Sequence, residues 1–135
     1  MEVFLGGTAN GSQWRKFIEE SIEMKSFNPI VEDWNEEAQQ QEIEKRESCD
    51  WLLYVITPKM EGVYSIAEVT YDAATRPHKT LFCVLDNDDF NEFTEHQLKS
   101  LKATEKLIEN CGARVFTDLN EVVSFLNYVQ NNHTY

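Results

Sequence analysis

A chain of 135 residues with 41% hydrophobic and 12% aromatic side chains reads as one folded domain, large enough to bury about two-thirds of its unfolded surface. Its 24 acidic residues outnumber 12 basic ones, and the formal net charge of −12 argues against nucleic acid and anionic membrane surfaces as partners, since Lys and Arg must meet their phosphates. No apolar run approaches the roughly 20 residues that span a bilayer, and the first residues show no basic region followed by a long apolar one, so a cytoplasmic protein is expected.

Val3-Phe4-Leu5 is a short apolar run ended by Gly6-Gly7-Thr8-Ala9-Asn10-Gly11. Residues 12–25 then carry Trp14, Phe17, Ile18 and Ile22 on one face, with Glu19, Glu20 and Glu23 opposite. The pattern predicts strand, glycine-rich loop and amphipathic helix. The loop is either a tight strand-to-helix turn or a cradle whose backbone N–H groups hold polar groups of a ligand. Its spacing is neither G-x-G-x-x-G nor a Walker motif, so neither dinucleotide nor triphosphate binding follows. Residues 27–31 predict a second strand, pushed toward a sheet edge by Pro29. A turn over 32–35 leads into a charged, Gln-rich helix over Glu36–Ser48. Asp33 and Trp34 belong either to that solvated surface or to the mouth of a pocket, with the indole offering a face to a base.

Trp51-Leu-Leu-Tyr-Val-Ile-Thr-Pro58 is an uncharged run of strand length, rich in β-branched and aromatic side chains, as in a central parallel strand buried on both faces. Asp50 stands before it and Pro58 closes it. A loop containing Gly62 leads into Tyr64–Thr75, where Ile66, Val69, Thr70 and Ala73 recur at helical spacing. Glu68 falls off that stripe, toward the carboxyl end of the strand, where open α/β sheets bind ligands. It is either an acid resting near a helix N-terminus or a functional carboxylate.

Residues 76–79 form a basic turn, and 80–85 another buried strand that stops at Asp86-Asn-Asp-Asp89. Residues 89–110 predict a long helix with an irregular start, C-capped at Gly112. Residues 113–116 are the last strand, and Asp118 caps a final helix built on Leu119, Val122, Val123, Leu126 and Val129. Residues 1–130 thus form the domain, and 131–135 a loose polar tail. Strands alternating with helices predict a three-layer α/β sandwich: a five-stranded parallel sheet in the flavodoxin-like order 2-1-3-4-5, with its crevice between strands 1 and 3. Cys49, Cys83 and Cys111 are widely spaced and read as reduced thiols. His78, His96 and His133 share no ligand spacing, so no metal and no cofactor are expected.

Phe4-Leu-Gly-Gly-Thr8 with its helix, Asp50 ahead of the central strand, Pro58, and Glu68-Val-Thr-Tyr71-Asp-Ala73 together resemble the nucleoside 2-deoxyribosyltransferase superfamily, especially its small nucleoside 2-deoxyribosyltransferase-like branch. Nucleotide N-glycosidases of that superfamily are similar too. The resemblance implies cleavage of the N-glycosidic bond of a (deoxy)nucleoside or nucleotide. In that scheme Glu68 attacks the anomeric carbon, a ribosyl-enzyme ester forms, and a second base or water takes the sugar. Asp50 receives a supporting role. Substrate contacts are expected from Gly6, Gly7 and Thr8, from Asp33 and Trp34, and from Pro58, Gly62, Tyr64, Ser65 and Asp86. Ser65 is alternatively a helix cap, and Asp86 a turn residue. Two positions depart from the pattern: Thr70 replaces a usual glycine, and Gly62 an acid that many transferases carry six residues before the nucleophile. A homo-oligomer is implied, and in some members the chain end, here Tyr135, reaches a neighbour's site. The scarcity of basic residues around the crevice favours an unphosphorylated nucleoside. The alternative is a non-catalytic module that holds a nucleotide-like ligand or a subunit in the same crevice.

Overall fold

The computed structural model describes residues 1–133, so the chain-end carboxylate of Tyr135 lies outside the described residues. Its main sheet contains β1 (Glu2–Gly7), β2 (Lys25–Phe27), β3 (Trp51–Ile56), β4 (Thr80–Val84) and β7 (Arg114–Phe116). All pairings are parallel, in the order β2-β1-β3-β4-β7, which is the predicted topology. Alternation along each strand sends side chains to opposite faces. Phe4, Leu52, Tyr54, Ile56 and Phe82 meet Val69 and Ala73 of α3 (Tyr64–Thr75) and Leu101 and Ile108 of α4 (Glu95–Asn110). Val3, Leu5, Leu53, Val55 and Leu81 meet Trp14 and Ile18 of α1 (Trp14–Ser21) and Val122 and Leu126 of α5 (Leu119–Asn132). Helices therefore cover both faces, and the central strands are apolar throughout for that reason. No described helix is long and apolar enough to cross a membrane.

Three elements differ from the sequence prediction. β2 ends at Phe27 instead of continuing to Val31, because Asn28 turns the chain and its side chain accepts from the Ile30 N–H at 3.0 Å. The expected helical start at residue 89 is a two-stranded hairpin, β5 (Asn87–Asp88) and β6 (Asn91–Glu92). Its turn residues Asp89 and Phe90 both have positive φ, the conformation of the tight hairpin turns that match strand twist. α4 begins only where Thr94 and Gln97 close a capping box. At the other end, α5 continues to Asn132, so the first residues of the expected loose tail are helical. Its start is as read: Asp118 accepts from the Glu121 N–H in a second capping box.

Candidate active site at the switch between β1 and β3

β1 ends in two glycines for reasons of space. A Cβ on Gly6 would lie 2.5 Å from the Tyr54 ring, and one on Gly7, at φ 116°, would lie 2.1 Å from the Val55 carbonyl oxygen. The chain then turns at Thr8, whose N–H donates to the Val55 carbonyl at 2.9 Å and whose Oγ1 accepts from the Thr57 N–H at 2.9 Å. Trp14 Nε1 and Arg15 Nη1 donate to the Thr8 carbonyl at 2.8 and 2.6 Å, while Arg15 Nε and Nη2 reach Leu5 and Gly7 carbonyls. The guanidinium lies 4.4 Å from the centre of the Trp14 ring. Burial lowers the Arg15 pKa to about 10, which leaves it charged at neutral pH. The hairpin closes the loop from outside, as Asp88 accepts from Ser12 Oγ at 2.5 Å and from Thr57 Oγ1 at 2.7 Å.

Three adjoining depressions meet at Glu68 and Tyr64. One of about 380 Å³ is lined by Gly7, Thr8, Ala9, Gly62 and Ser65. A second, of about 350 Å³, runs past Gly6 and Arg15 to Ile30, Trp34 and Glu42. A third, of about 450 Å³, opens between α2 (Glu36–Ser48) and α3 over Arg46, Tyr71 and Arg76. Tyr64 is largely exposed and Trp34 is 60% exposed, so both present rings at the rim.

Glu68 is 8% exposed, and its Oε2 accepts no hydrogen bond from the described residues. Arg46 Nη1 lies 3.4 Å from that oxygen as an ion pair. Beneath it, Asp72 is fully buried and holds Arg46 through Nε at 3.2 Å and Nη2 at 2.9 Å, and Arg76 Nε at 2.9 Å. Tyr54 donates its hydroxyl to Asp72 Oδ2 at 2.6 Å. The bare face of Gly6 gives the Tyr54 ring the room to reach there. Burial first, and then the neighbouring Glu42 carboxyl, raise the Glu68 pKa to about 8 against the opposite pull of Arg46. A carboxyl group held this way is poised to exchange a proton near neutrality, as functional acids are.

A family described as nucleoside 2-deoxyribosyltransferase like matches residues 1–88. The chain belongs to that family. The stretch shared with the nucleoside 2-deoxyribosyltransferase-like proteins contains the glycine turn, α2, the central strand and Glu68, and with them every residue lining the three depressions. No curated protein matches the chain.

Gly6, Gly7, Thr8, Trp34, Gly62, Tyr64, Ser65 and Glu68 line the depressions. Four other candidates stand apart. Asp50 is exposed at the amino edge of the sheet, where its Oδ2 accepts from the Glu2 N–H at 2.8 Å. The six residues of β3, at about 3.3 Å each, put roughly 20 Å between it and the carboxyl edge, so the expected support of the site from Asp50 is corrected. Asp86 is exposed over a separate cavity beside Leu98 and Lys102, and Asp88 takes the inward place instead. Asp33 is exposed and Pro58 half-buried, and neither lines the three depressions. Ser65 is not a cap, for it lies inside α3, whose N-cap position is taken by Val63 without any side-chain cap. Thr70 donates to the Ile66 carbonyl at 2.7 Å, one turn back, and so fits the helix in place of glycine. Glu42, Arg46 and Asp72 were not singled out from the sequence. The signal available was spacing: 42 and 46, like 68 and 72, are one helical turn apart. Among the described residues no group of His, Cys, Asp and Glu could hold a metal ion.

The raised Glu68 pKa carries a stability cost with a definite sign. The unfolded chain releases this proton near pH 4.5 and the folded one near 8, so the contribution is fully present below 4.5 and is lost as pH rises through 8. Glu68→Gln, which mimics the protonated acid, should therefore match wild-type stability near pH 4.5 and exceed it by about 5 kcal/mol at pH 9. Denaturant midpoints for both proteins across that range measure it, and equal midpoints at pH 9 would contradict the burial of an uncompensated carboxyl.

Proposed function

We propose that this protein cleaves the N-glycosidic bond of an unphosphorylated (deoxy)nucleoside, with Glu68 as the nucleophile and a ribosyl-enzyme ester as the intermediate. The sugar then passes to a second base or to water. The observation that supports this most is Glu68 itself: a buried carboxyl, one oxygen of which accepts no hydrogen bond from the described residues, where three depressions meet at the switch point of a parallel sheet. Trp34 and Tyr64 supply ring faces for a base at the rim. A phosphate is disfavoured because the nearby cations already have acceptors. Arg15 is held on carbonyl oxygens, Arg46 and Arg76 on Asp72, and Lys59 on Asp89. Cys49, Cys83 and Cys111 are free thiols, in keeping with a cytoplasmic setting, and assembly into a homo-oligomer belongs to the same proposal.

One observation favours a binding role instead: an acid with a pKa near 8 is mostly protonated at pH 7, and so is a better hydrogen-bond donor than nucleophile. Incubation with a panel of nucleosides and their 5′-monophosphates, with and without free base, decides between them. Release of base from nucleosides, or sugar exchange onto the added base, is the expected outcome. Saturable binding without any turnover would replace the enzyme with a ligand-holding module.

A further inference from the structure

α2 is a solvated helix with no buried residue, yet one face of it reaches the site. Glu42 and Arg46 lie one turn apart on that face, and both approach Glu68. Glu42 is half-buried between exposed neighbours, and it lines the same depression as Trp34. An acid there stands beside the ring face offered to a base, while Glu68 stands where the depressions converge on the sugar side. Resting on the N-glycosidic proposal above, we propose that Glu42 is the general acid–base partner of Glu68, giving a proton to the departing base and recovering one from the acceptor.

The surroundings assign the two carboxyls different work. They line one depression, and the neighbouring Glu42 carboxyl adds to burial in raising the Glu68 pKa, since two adjacent carboxylates do not readily both stay ionised. In the resting site Glu68 is the member that holds its proton, its pKa raised to about 8 against the pull of the Arg46 ion pair, and that proton passes to Glu42 as Glu68 bonds to C1′. Asp72 from α3 opposes ionisation but is itself covered by Arg46, Arg76 and the Tyr54 hydroxyl of β3. Arg15 from α1 lines the depression with its donors turned to backbone carbonyls. Carboxyl pairs that retain glycoside configuration stand about 5 Å apart, so an entering sugar must part these two, and half-exposed Glu42 has the freedom to move.

In the first half-reaction the Glu42 proton moves to a nitrogen of the base as the C1′–N bond breaks and the Glu68 oxygen bonds to C1′. In the second, the Glu42 carboxylate takes a proton from water or from an acceptor base. The acceptor bonds to C1′, and the Glu68 ester breaks to restore its carboxylate. Atoms and charge balance with no further reagent.

The test compares wild type, Glu42→Gln and Glu68→Gln on two 2′-deoxynucleosides: an ordinary purine nucleoside, and its N7-methylated cation, whose base leaves neutral without protonation. Glu42→Gln should slow the ordinary substrate by roughly 10² to 10⁴ and the methylated one by less than about tenfold. Glu68→Gln should lose both substrates. Equal slowing of both by Glu42→Gln, or no slowing of either, would overturn the acid–base assignment while leaving the nucleophile in place. Undiminished turnover by Glu68→Gln, or no turnover by wild type, would instead remove the underlying reaction.

Discussion

Glu68→Ala should lower the rate of base release by at least about three powers of ten, each worth about 1.4 kcal/mol of barrier, while nucleoside affinity changes by less than about tenfold. The asymmetry follows from the position of the group. Glu68 Oε2 accepts no hydrogen bond from the described residues, so its bond to C1′ displaces only the ion pair with Arg46 and the neighbouring Glu42 carboxyl. Its value is realised only as positive charge develops on the sugar, which is the condition for raising kcat and not merely tightening binding. The low exposure of the site strengthens that interaction. A direct readout accompanies the rate. Wild-type protein quenched in acid during turnover should carry one sugar of added mass on the peptide containing Glu68, and the alanine variant none. A variant that keeps its rate, or an adduct on another residue, would displace Glu68 from the chemistry.

How far the sequence carries toward this site differs from element to element. The run from Trp51 to Ile56 and the helix Tyr64–Thr75 were legible because a strand buried on both faces must be apolar throughout, and a helix packed on it must repeat at 3.6 residues. The five-strand order followed from strict alternation of the two. α2 was opaque for the opposite reason. It buries no residue, so no periodicity marks which of its faces meets α3, and Glu42 and Arg46 look like any other solvated charges. Asp50 misled because residues adjoining an apolar strand say nothing about which edge of the sheet they occupy; only the strand direction does. In the run Asp86-Asn-Asp-Asp89, the inward acid is decided by a hairpin turn at Asp89 and Phe90, residues with none of the glycine or asparagine that usually announces one. The two glycines were visible as a turn. That Gly6 also makes room for Tyr54 depends on a cross-strand register linking residues far apart in the chain.

Asp72→Ala should cost about 3–5 kcal/mol of folding stability, the range for removing one partner of a buried charge network. Asp72 is fully buried and neutralises two guanidinium groups whose side chains are only 11% and 19% exposed, Arg46 and Arg76. Without it, both cations keep their desolvation but lose their main acceptor, and the buried Tyr54 hydroxyl is left with none. In a chain of this size the melting temperature should fall by roughly 10 °C or more. Tyr54→Phe removes a single donor from the same network and should cost only about 1 kcal/mol, so the difference between the variants isolates the charge from the packing. The consequence at the site is separable from stability. Asp72 raises the Glu68 pKa and also draws Arg46 downward, so the isosteric Asp72→Asn should shift the acid limb of the pH–rate profile to lower pH as Arg46 turns more fully to Glu68. Wild-type stability in Asp72→Ala, together with an unmoved acid limb in Asp72→Asn, would mean that Arg46 is positioned by the helix α2 alone, and that the network beneath Glu68 does not set its proton.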